Sequence, residues 1–94
     1  MTKNISVFGL GKLGASMAAC LASRGFNIVG VDVLSKSVEL LNNGHAPVQE
    51  TGLNKLIEDN KKSIRATEDV QNAIDSSDMS FVIVPTPSDS RGAF

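Results

Sequence analysis

Short apolar runs alternate along the chain with segments whose apolar residues recur every three or four positions. Runs rich in β-branched or apolar residues predict four buried strands, at residues 5–8, 26–32, 63–67 and 79–84. Helical spacing predicts four helices: residues 12–24, residues 35–43 with Ser35 as a candidate N-cap, residues 53–60, and a last one from Thr67 or Glu68 to residue 76. The predicted order is therefore β-α-β-α-α-β-α-β.

Two of these helices have apolar positions that predict a buried face. The first helix repeats four of them at three- and four-residue spacing: Leu13, Met17, Cys20 and Leu21. Its alanines at positions 15, 18, 19 and 22 keep the helix thin, so we expect it to pack closely. In the last helix the predicted inward positions are Val70, Ala73 and Ile74. We therefore expect Cys20 to be a small buried hydrophobe rather than a reactive thiol.

A glycine-rich turn joins the first strand to the first helix. The stretch Ser6-Val-Phe-Gly-Leu-Gly-Lys-Leu-Gly places Gly9, Gly11 and Gly14 in the spacing G-x-G-x-x-G. Gly9 permits the tight turn, Gly11 allows the backbone to approach a pyrophosphate, and Gly14 allows close packing of helix on strand. The pyrophosphate is then bound at the helix N-terminus, where free N–H groups favour an anion.

An acidic residue follows at the place where dinucleotide binding requires one. Asp32 ends the second predicted strand, eighteen positions after Gly14. Its carboxylate suits the two hydroxyls of an adenine ribose and would repel a 2′-phosphate, which favours NAD over NADP. The alternative is a glycine turn that only packs a helix on a sheet.

These signals together indicate an α/β fold of the Rossmann type. Apolar strands that alternate with helices predict a doubly wound parallel sheet, and right-handed crossovers give the strand order 3-2-1-4. A complete two-halved fold needs more than 94 residues, so we expect residues 1–94 to hold its N-terminal half only.

Composition limits the partners and the chemistry. The net charge of −1 gives no electrostatic reason to expect nucleic acid or an anionic membrane as a partner, and no apolar run is long enough for a membrane span. The single cysteine and the lack of a leader-like segment favour a cytoplasmic location. His45, the one histidine, lies in a predicted loop without a second ligand nearby, so no metal site is expected.

A second motif lies at the end of the last predicted strand. Val82-Ile-Val-Pro-Thr-Pro-Ser places Thr86 at the carboxyl edge of the sheet, beside the glycine turn, in a loop that two prolines stiffen. By spacing alone, a solvated threonine at a rigid strand exit is the simpler interpretation.

With these motifs the chain resembles the N-terminal NAD-binding domain of the UDP-glucose/GDP-mannose dehydrogenases. The resemblance covers essentially all of the chain. Besides the two motifs above, it rests on Ala18-Ala-Cys-Leu-Ala, Val29-Gly-Val-Asp, Val38-Glu-Leu-Leu-Asn, Gly44-His-Ala-Pro-Val-Gln-Glu, Gly52-Leu and Ile64-Arg-Ala-Thr.

The resemblance implies an enzyme that oxidises the C6 hydroxymethyl of a nucleotide sugar, of the UDP-glucose type, to a carboxylate with two NAD. It implies that the glycine turn, including Lys12 and Leu13, contacts the pyrophosphate, that Asp32 contacts the adenine ribose, and that Thr86 contacts the cofactor. The family's catalytic residues, a cysteine nucleophile among them, correspond to positions beyond residue 94. We therefore expect no catalytic residue here, a substrate bound by regions outside this chain, and a parent protein that is a homo-oligomer.

The chain departs from the family's pattern at several positions. Lys12 and Leu13 replace a common tyrosine and valine, Thr51 replaces a proline, and Ser37 stands where a lysine is frequent. Two other functions share the glycine turn and the acidic strand end. One is an NAD-sensing module of a transporter, and the other is a dehydrogenase of the 3-hydroxyacid or 6-phosphogluconate type.

Overall fold

The computed structural model describes residues 3–83 and shows the predicted alternation of strands and helices. The elements are β1 (Asn4–Phe8), α1 (Lys12–Ser23), β2 (Asn27–Val31), α2 (Ser35–Asn42), α3 (Leu53–Asp59), a 3-10 turn (Lys61–Ser63), β3 (Ile64–Thr67), α4 (Val70–Asp75) and β4 (Met79–Val82). Their order confirms the prediction, with boundaries that differ by at most three residues. The predicted end of the last strand, residue 84, lies outside the described residues.

The four strands form one parallel sheet in the order β3-β2-β1-β4, as predicted. Phe8, the last residue of β1, pairs with Val31 of β2 and with Val82 of β4. The carboxyl ends of all four strands therefore lie at one edge of the sheet. The strand order reverses between β1 and β4, and this is where ligands bind in folds of this type.

One face of the sheet holds the main core. Helices α1 and α2 pack against it and α3 packs against α1, and the buried side chains of all three form one cluster with those of the strands. Ile5, Ile28 and Ile64 lie opposite one another across three neighbouring strands in this cluster. The sheet–helix layer therefore forms as the continuous apolar strands predict.

Helix α1 buries its alanines rather than its larger apolar residues. The buried positions are Gly14, Ala15, Ala18, Ala19 and Ala22. Cys20 is exposed, so the prediction that it is a buried hydrophobe is wrong. The close packing of the alanines is confirmed, because their small side chains let the helix approach the sheet, and Cys20 is left outside that contact.

The opposite face of the sheet is covered more thinly, by α4 alone among the described elements. Only Ala73 of α4 is buried, whereas Val70 and Ile74 are half-exposed, which contradicts their predicted inward position. Arg65 of β3 attaches the helix through hydrogen bonds to Asn72 Oδ1 at 3.3 Å and Ser76 Oγ at 2.9 Å. A helix of this length covers only the β2 side of that face, so Val82 of β4 is exposed as well.

The predicted helix ends are confirmed only in part. Gly25 and Gly44 have positive φ angles of 97° and 79° after α1 and α2, as expected for glycines that end helices. Ser35 is the first residue of α2 rather than its N-cap, which is Leu34. The N-cap of α4 is Asp69, whose Oδ1 accepts from Asn72 N at 3.1 Å, rather than Thr67 or Glu68.

Candidate functional site

The fold itself requires two of the three motif glycines. Gly9 has φ +100°, and a Cβ there would run into the Ile83 carbonyl. A Cβ on Gly14 would collide with the Gly9 carbonyl, because α1 begins directly against the turn. These two glycines are therefore explained by packing and backbone geometry without any ligand.

Gly11 is different. It is the N-cap of α1 with φ −74°, a value open to any residue. Apart from its two chain neighbours, no described residue has a heavy atom within 4 Å of the place where its Cβ would be. The described part of the fold therefore has no steric use for glycine at this position. Open space in front of the first N–H groups of a helix suits a phosphate, so the residues present fit a dinucleotide pyrophosphate.

Asp32 follows β2 and is bonded to the backbone on both of its carboxylate oxygens. Oδ2 accepts from Leu10 N at 2.8 Å, inside the glycine turn, and Oδ1 accepts from Leu34 N at 3.0 Å, ahead of α2. Each carboxylate oxygen has more than one acceptor site, so further capacity remains for ribose hydroxyls. Asp32 thus both supports the turn and faces the groove in front of it.

Two residues that the sequence analysis gave no role hold the turn in place. Leu10 is only 1% exposed and inserts into the main core. Gly30 makes room for it, because a Cβ on Gly30 would lie 2.9 Å from Leu10 Cδ2 and 3.0 Å from Leu41 Cδ2. The signals were an apolar residue between the two turn glycines and a glycine inside a β-branched strand.

A groove of about 840 Å³ runs along the carboxyl edge of β1 and β2. Six of the seven predicted cofactor residues line it: Gly9, Gly11, Lys12, Leu13, Gly14 and Asp32. Leu13 is 63% exposed, so its side chain is available to a ligand in the groove. The seventh, Thr86, lies outside the described residues.

A second cavity of about 640 Å³ adjoins the turn on the side of the loop that joins α2 to α3. Lys12 lines both cavities, and its Nζ lies 3.3 Å from Glu50 Oε2. Asn54 Oδ1 accepts from Ala46 N at 2.8 Å and thereby fastens the loop to α3. The structure therefore brings Glu50, to which the sequence gave no firm role, into contact with the predicted phosphate turn.

Residues 3–83 hold neither a metal-binding cluster nor a membrane-spanning helix. No cluster of three or more histidine, cysteine, aspartate or glutamate side chains is placed to hold a metal ion there. Within the same residues, no helix combines the length and apolar character that crossing a bilayer requires.

Comparison with known proteins identifies the family. Residues 3–94 match the UDP-glucose/GDP-mannose dehydrogenase family, NAD binding domain. GDP-mannose 6-dehydrogenase of Pseudomonas savastanoi pv. phaseolicola is 43% identical over 90 residues, which are 94% of this chain and 20% of that protein. UDP-glucose 6-dehydrogenase of Haloferax volcanii is 39% identical over 90 residues, 95% of this chain and 21% of that protein.

Solved structures give the same result. A ternary complex of GDP-mannose dehydrogenase from Pseudomonas aeruginosa matches with a TM-score of 0.87 at 42% identity, over 94% of this chain and 21% of that one. A UDP-glucose dehydrogenase from Pyrobaculum islandicum matches with a TM-score of 0.87 at 29% identity, over 96% and 21%. The chain spans about a fifth of the length of these relatives. The chain therefore belongs to the NAD-binding domain of the UDP-glucose/GDP-mannose dehydrogenase family, and its cofactor is NAD.

Proposed function

We propose that this chain is the cofactor-binding part of a dehydrogenase that oxidises the C6 hydroxymethyl of a nucleotide sugar to a carboxylate with two NAD. The observation that supports this most directly is Gly11, which has open space at the N-terminus of α1 that the described fold does not need. The family's cofactor is NAD, so we assign this space to the NAD pyrophosphate.

In this proposal each groove residue has a definite task. The turn from Gly9 to Gly14 presents N–H groups and the positive end of α1 to the pyrophosphate. Asp32 accepts from the adenine ribose hydroxyls while its bonds to Leu10 N and Leu34 N fix the carboxylate in place. Leu13 covers the cofactor from the exposed side of the groove. Thr86 keeps its proposed contact with the cofactor as an expectation from the resemblance.

Bound NAD supplies the hydride acceptor for each of the two oxidations. The residues of this chain hold and orient the cofactor, and no described residue acts on the sugar. We assign the nucleophile, a cysteine in this family by resemblance, and the nucleotide-sugar site to parts of the protein beyond these 94 residues. The 94-residue chain on its own is then expected to bind NAD weakly and to turn over no substrate.

The sugar nucleotide is either of two kinds. The resemblance in the sequence motifs favours a UDP-sugar of the UDP-glucose type. GDP-mannose is the second candidate, because the relatives at 43% identity are named GDP-mannose 6-dehydrogenases, against 39% for the archaeal UDP-glucose enzyme. A homo-oligomeric, cytoplasmic parent protein without nucleic-acid or membrane partners completes the proposal.

A substrate panel tests this function. The full-length protein is incubated with NAD and, separately, UDP-glucose, UDP-N-acetylmannosamine, UDP-N-acetylglucosamine and GDP-mannose, and NADH is followed by absorbance. Two NADH per sugar and a C6 carboxylate are expected with one of them. Tight NAD binding without turnover of any nucleotide sugar would instead favour an NAD-sensing module.

A further inference from the structure

We propose that Lys12 changes partner when the cofactor binds, from the Glu50 carboxylate to the dinucleotide pyrophosphate, and that Glu50 thereby sets the affinity for NAD. This inference rests on the proposed function of the groove.

The position of Lys12 allows the exchange. It is the first residue of α1, next to Gly11, and so lies where the pyrophosphate is expected. Its side chain is 75% exposed and lines both the cofactor groove and the second cavity. A flexible lysine stem between two cavities reaches an anion on either side without any backbone movement.

The pyrophosphate should bind the Lys12 ammonium more strongly than the Glu50 carboxylate does. The Lys12–Glu50 pair is 3.3 Å long and largely exposed, the kind of ion pair that contributes little to stability. A pyrophosphate carries more charge than one carboxylate and lies in the field of the α1 N-terminus, so it attracts the ammonium more strongly. The expected direction of exchange is therefore toward the cofactor.

Glu50 stays close to the turn whether or not Lys12 is bound to it. Its carbonyl accepts from Leu53 N at 3.1 Å at the start of α3, and the loop is held again by the Ala46–Asn54 bond. Its side chain is 35% exposed. A carboxylate carried by a loop held in this way competes with the incoming cofactor for the same ammonium, which weakens NAD binding by the free energy of the ion pair.

A double-mutant cycle in the full-length protein tests the exchange by calorimetric titration with NAD. We expect Glu50→Gln to tighten NAD binding by about two- to fivefold, since Lys12 is then free. Lys12→Met should weaken binding by roughly five- to tenfold, and Lys12→Arg should restore most of it. In the Lys12→Met background, Glu50→Gln should have no effect, because the group competed for is absent.

The matched control is Asp59→Asn, which makes the same change in charge. Asp59 pairs with Lys55 on its own helix at 3.5 Å, so its removal should leave NAD affinity unchanged. ADP-ribose, which retains the pyrophosphate, should respond to every variant as NAD does, and thermal melts identify any variant that loses its fold.

The outcomes distinguish failure of the Lys12 exchange from failure of the proposed function. If the unaltered protein binds neither NAD nor ADP-ribose, the proposed function fails and the exchange fails with it. If it binds both but Glu50→Gln weakens binding, or tightens it equally with and without Lys12, only the exchange is wrong.

Discussion

The carboxylate of Asp32 and the backbone N–H of Leu10 are joined by a hydrogen bond of 2.8 Å. The bond connects the end of β2 to the middle of the glycine turn. Asp32, the residue predicted to bind the adenine ribose, therefore also holds the glycine turn in place. Loss of Asp32 should therefore reduce both the stability of the fold and the affinity for NAD.

Replacement of Asp32 by alanine tests both roles. Two backbone donors, Leu10 N and Leu34 N, lose their acceptor, so we expect a loss of about 1–3 kcal/mol in the free energy of unfolding. NAD affinity should fall at least about tenfold, because the ribose contact is lost as well. Chemical denaturation and calorimetry measure the two effects.

Asp78→Ala is the control for this prediction. Asp78 also accepts from one backbone donor, Asn4 N at 3.0 Å, but β1 begins there, at the end of the sheet away from the groove. Its loss should lower stability slightly and leave NAD affinity unchanged. Equal losses of affinity in both variants would show that Asp32 acts only through the fold.

Gly11 and Gly14 should separate ligand binding from folding. Gly11→Ala places its methyl group in open space, so stability should change by no more than about 1 kcal/mol while NAD affinity falls at least about tenfold. Gly14→Ala forces a methyl group against the Gly9 carbonyl and should cost about 3 kcal/mol or more. Thermal melts and NAD titration distinguish them. Unchanged NAD binding in Gly11→Ala would contradict the placement of the pyrophosphate.

The two leucines of the turn should respond in opposite ways. Leu10→Ala removes a core side chain and should cost about 2–5 kcal/mol. Leu13→Ala, at an exposed position on the groove wall, should change stability by less than about 0.5 kcal/mol but weaken NAD binding severalfold. Urea denaturation of both variants, followed by NAD titration, tests this. A large stability loss in Leu13→Ala would contradict the assignment of the core.

A buried hydroxyl should stabilise the contact between β1 and β4. Ser6 is fully buried, and its Oγ lies 2.6 Å from Ser80 Oγ and 3.0 Å from Ser77 Oγ. Ser6→Ala should cost about 1 kcal/mol. Ser23→Ala removes an exposed hydroxyl that donates to the Cys20 carbonyl and should cost much less. Equal effects in the two variants would show that burial of the Ser6 cluster adds nothing.

The order of elements was predictable because it follows from local patterns, and the strand order because parallel crossovers are right-handed. The sequence also predicted that six site residues lie together, and they do line one groove at the sheet edge. Glycine spacing, apolar runs and the acidic residue after β2 each act within a few residues of the site they define. The direction of Asp32 toward Leu10 N was not predictable in this way, since it depends on how two separate strands are placed side by side.

The side of each helix that becomes buried was predicted less well. In α1 the close packing of the alanines was predicted, but Cys20, which was expected to be buried beside them, is exposed. Helical spacing identifies apolar positions and does not by itself say which of them face the sheet. The same limit of helical spacing explains why Val70 and Ile74 of α4 were wrongly predicted to be buried. Their burial depends on how far this short helix extends over the sheet.

The packing of Leu10 against Gly30 has a consequence for the energetics of binding. A turn anchored in the core by its own side chain has lost its freedom when the chain folds, so little conformational entropy remains to be lost when the cofactor arrives. The binding site is in this sense already organised. The affinity for NAD then depends on the stability of the apolar core as well as on the polar groups that touch the cofactor.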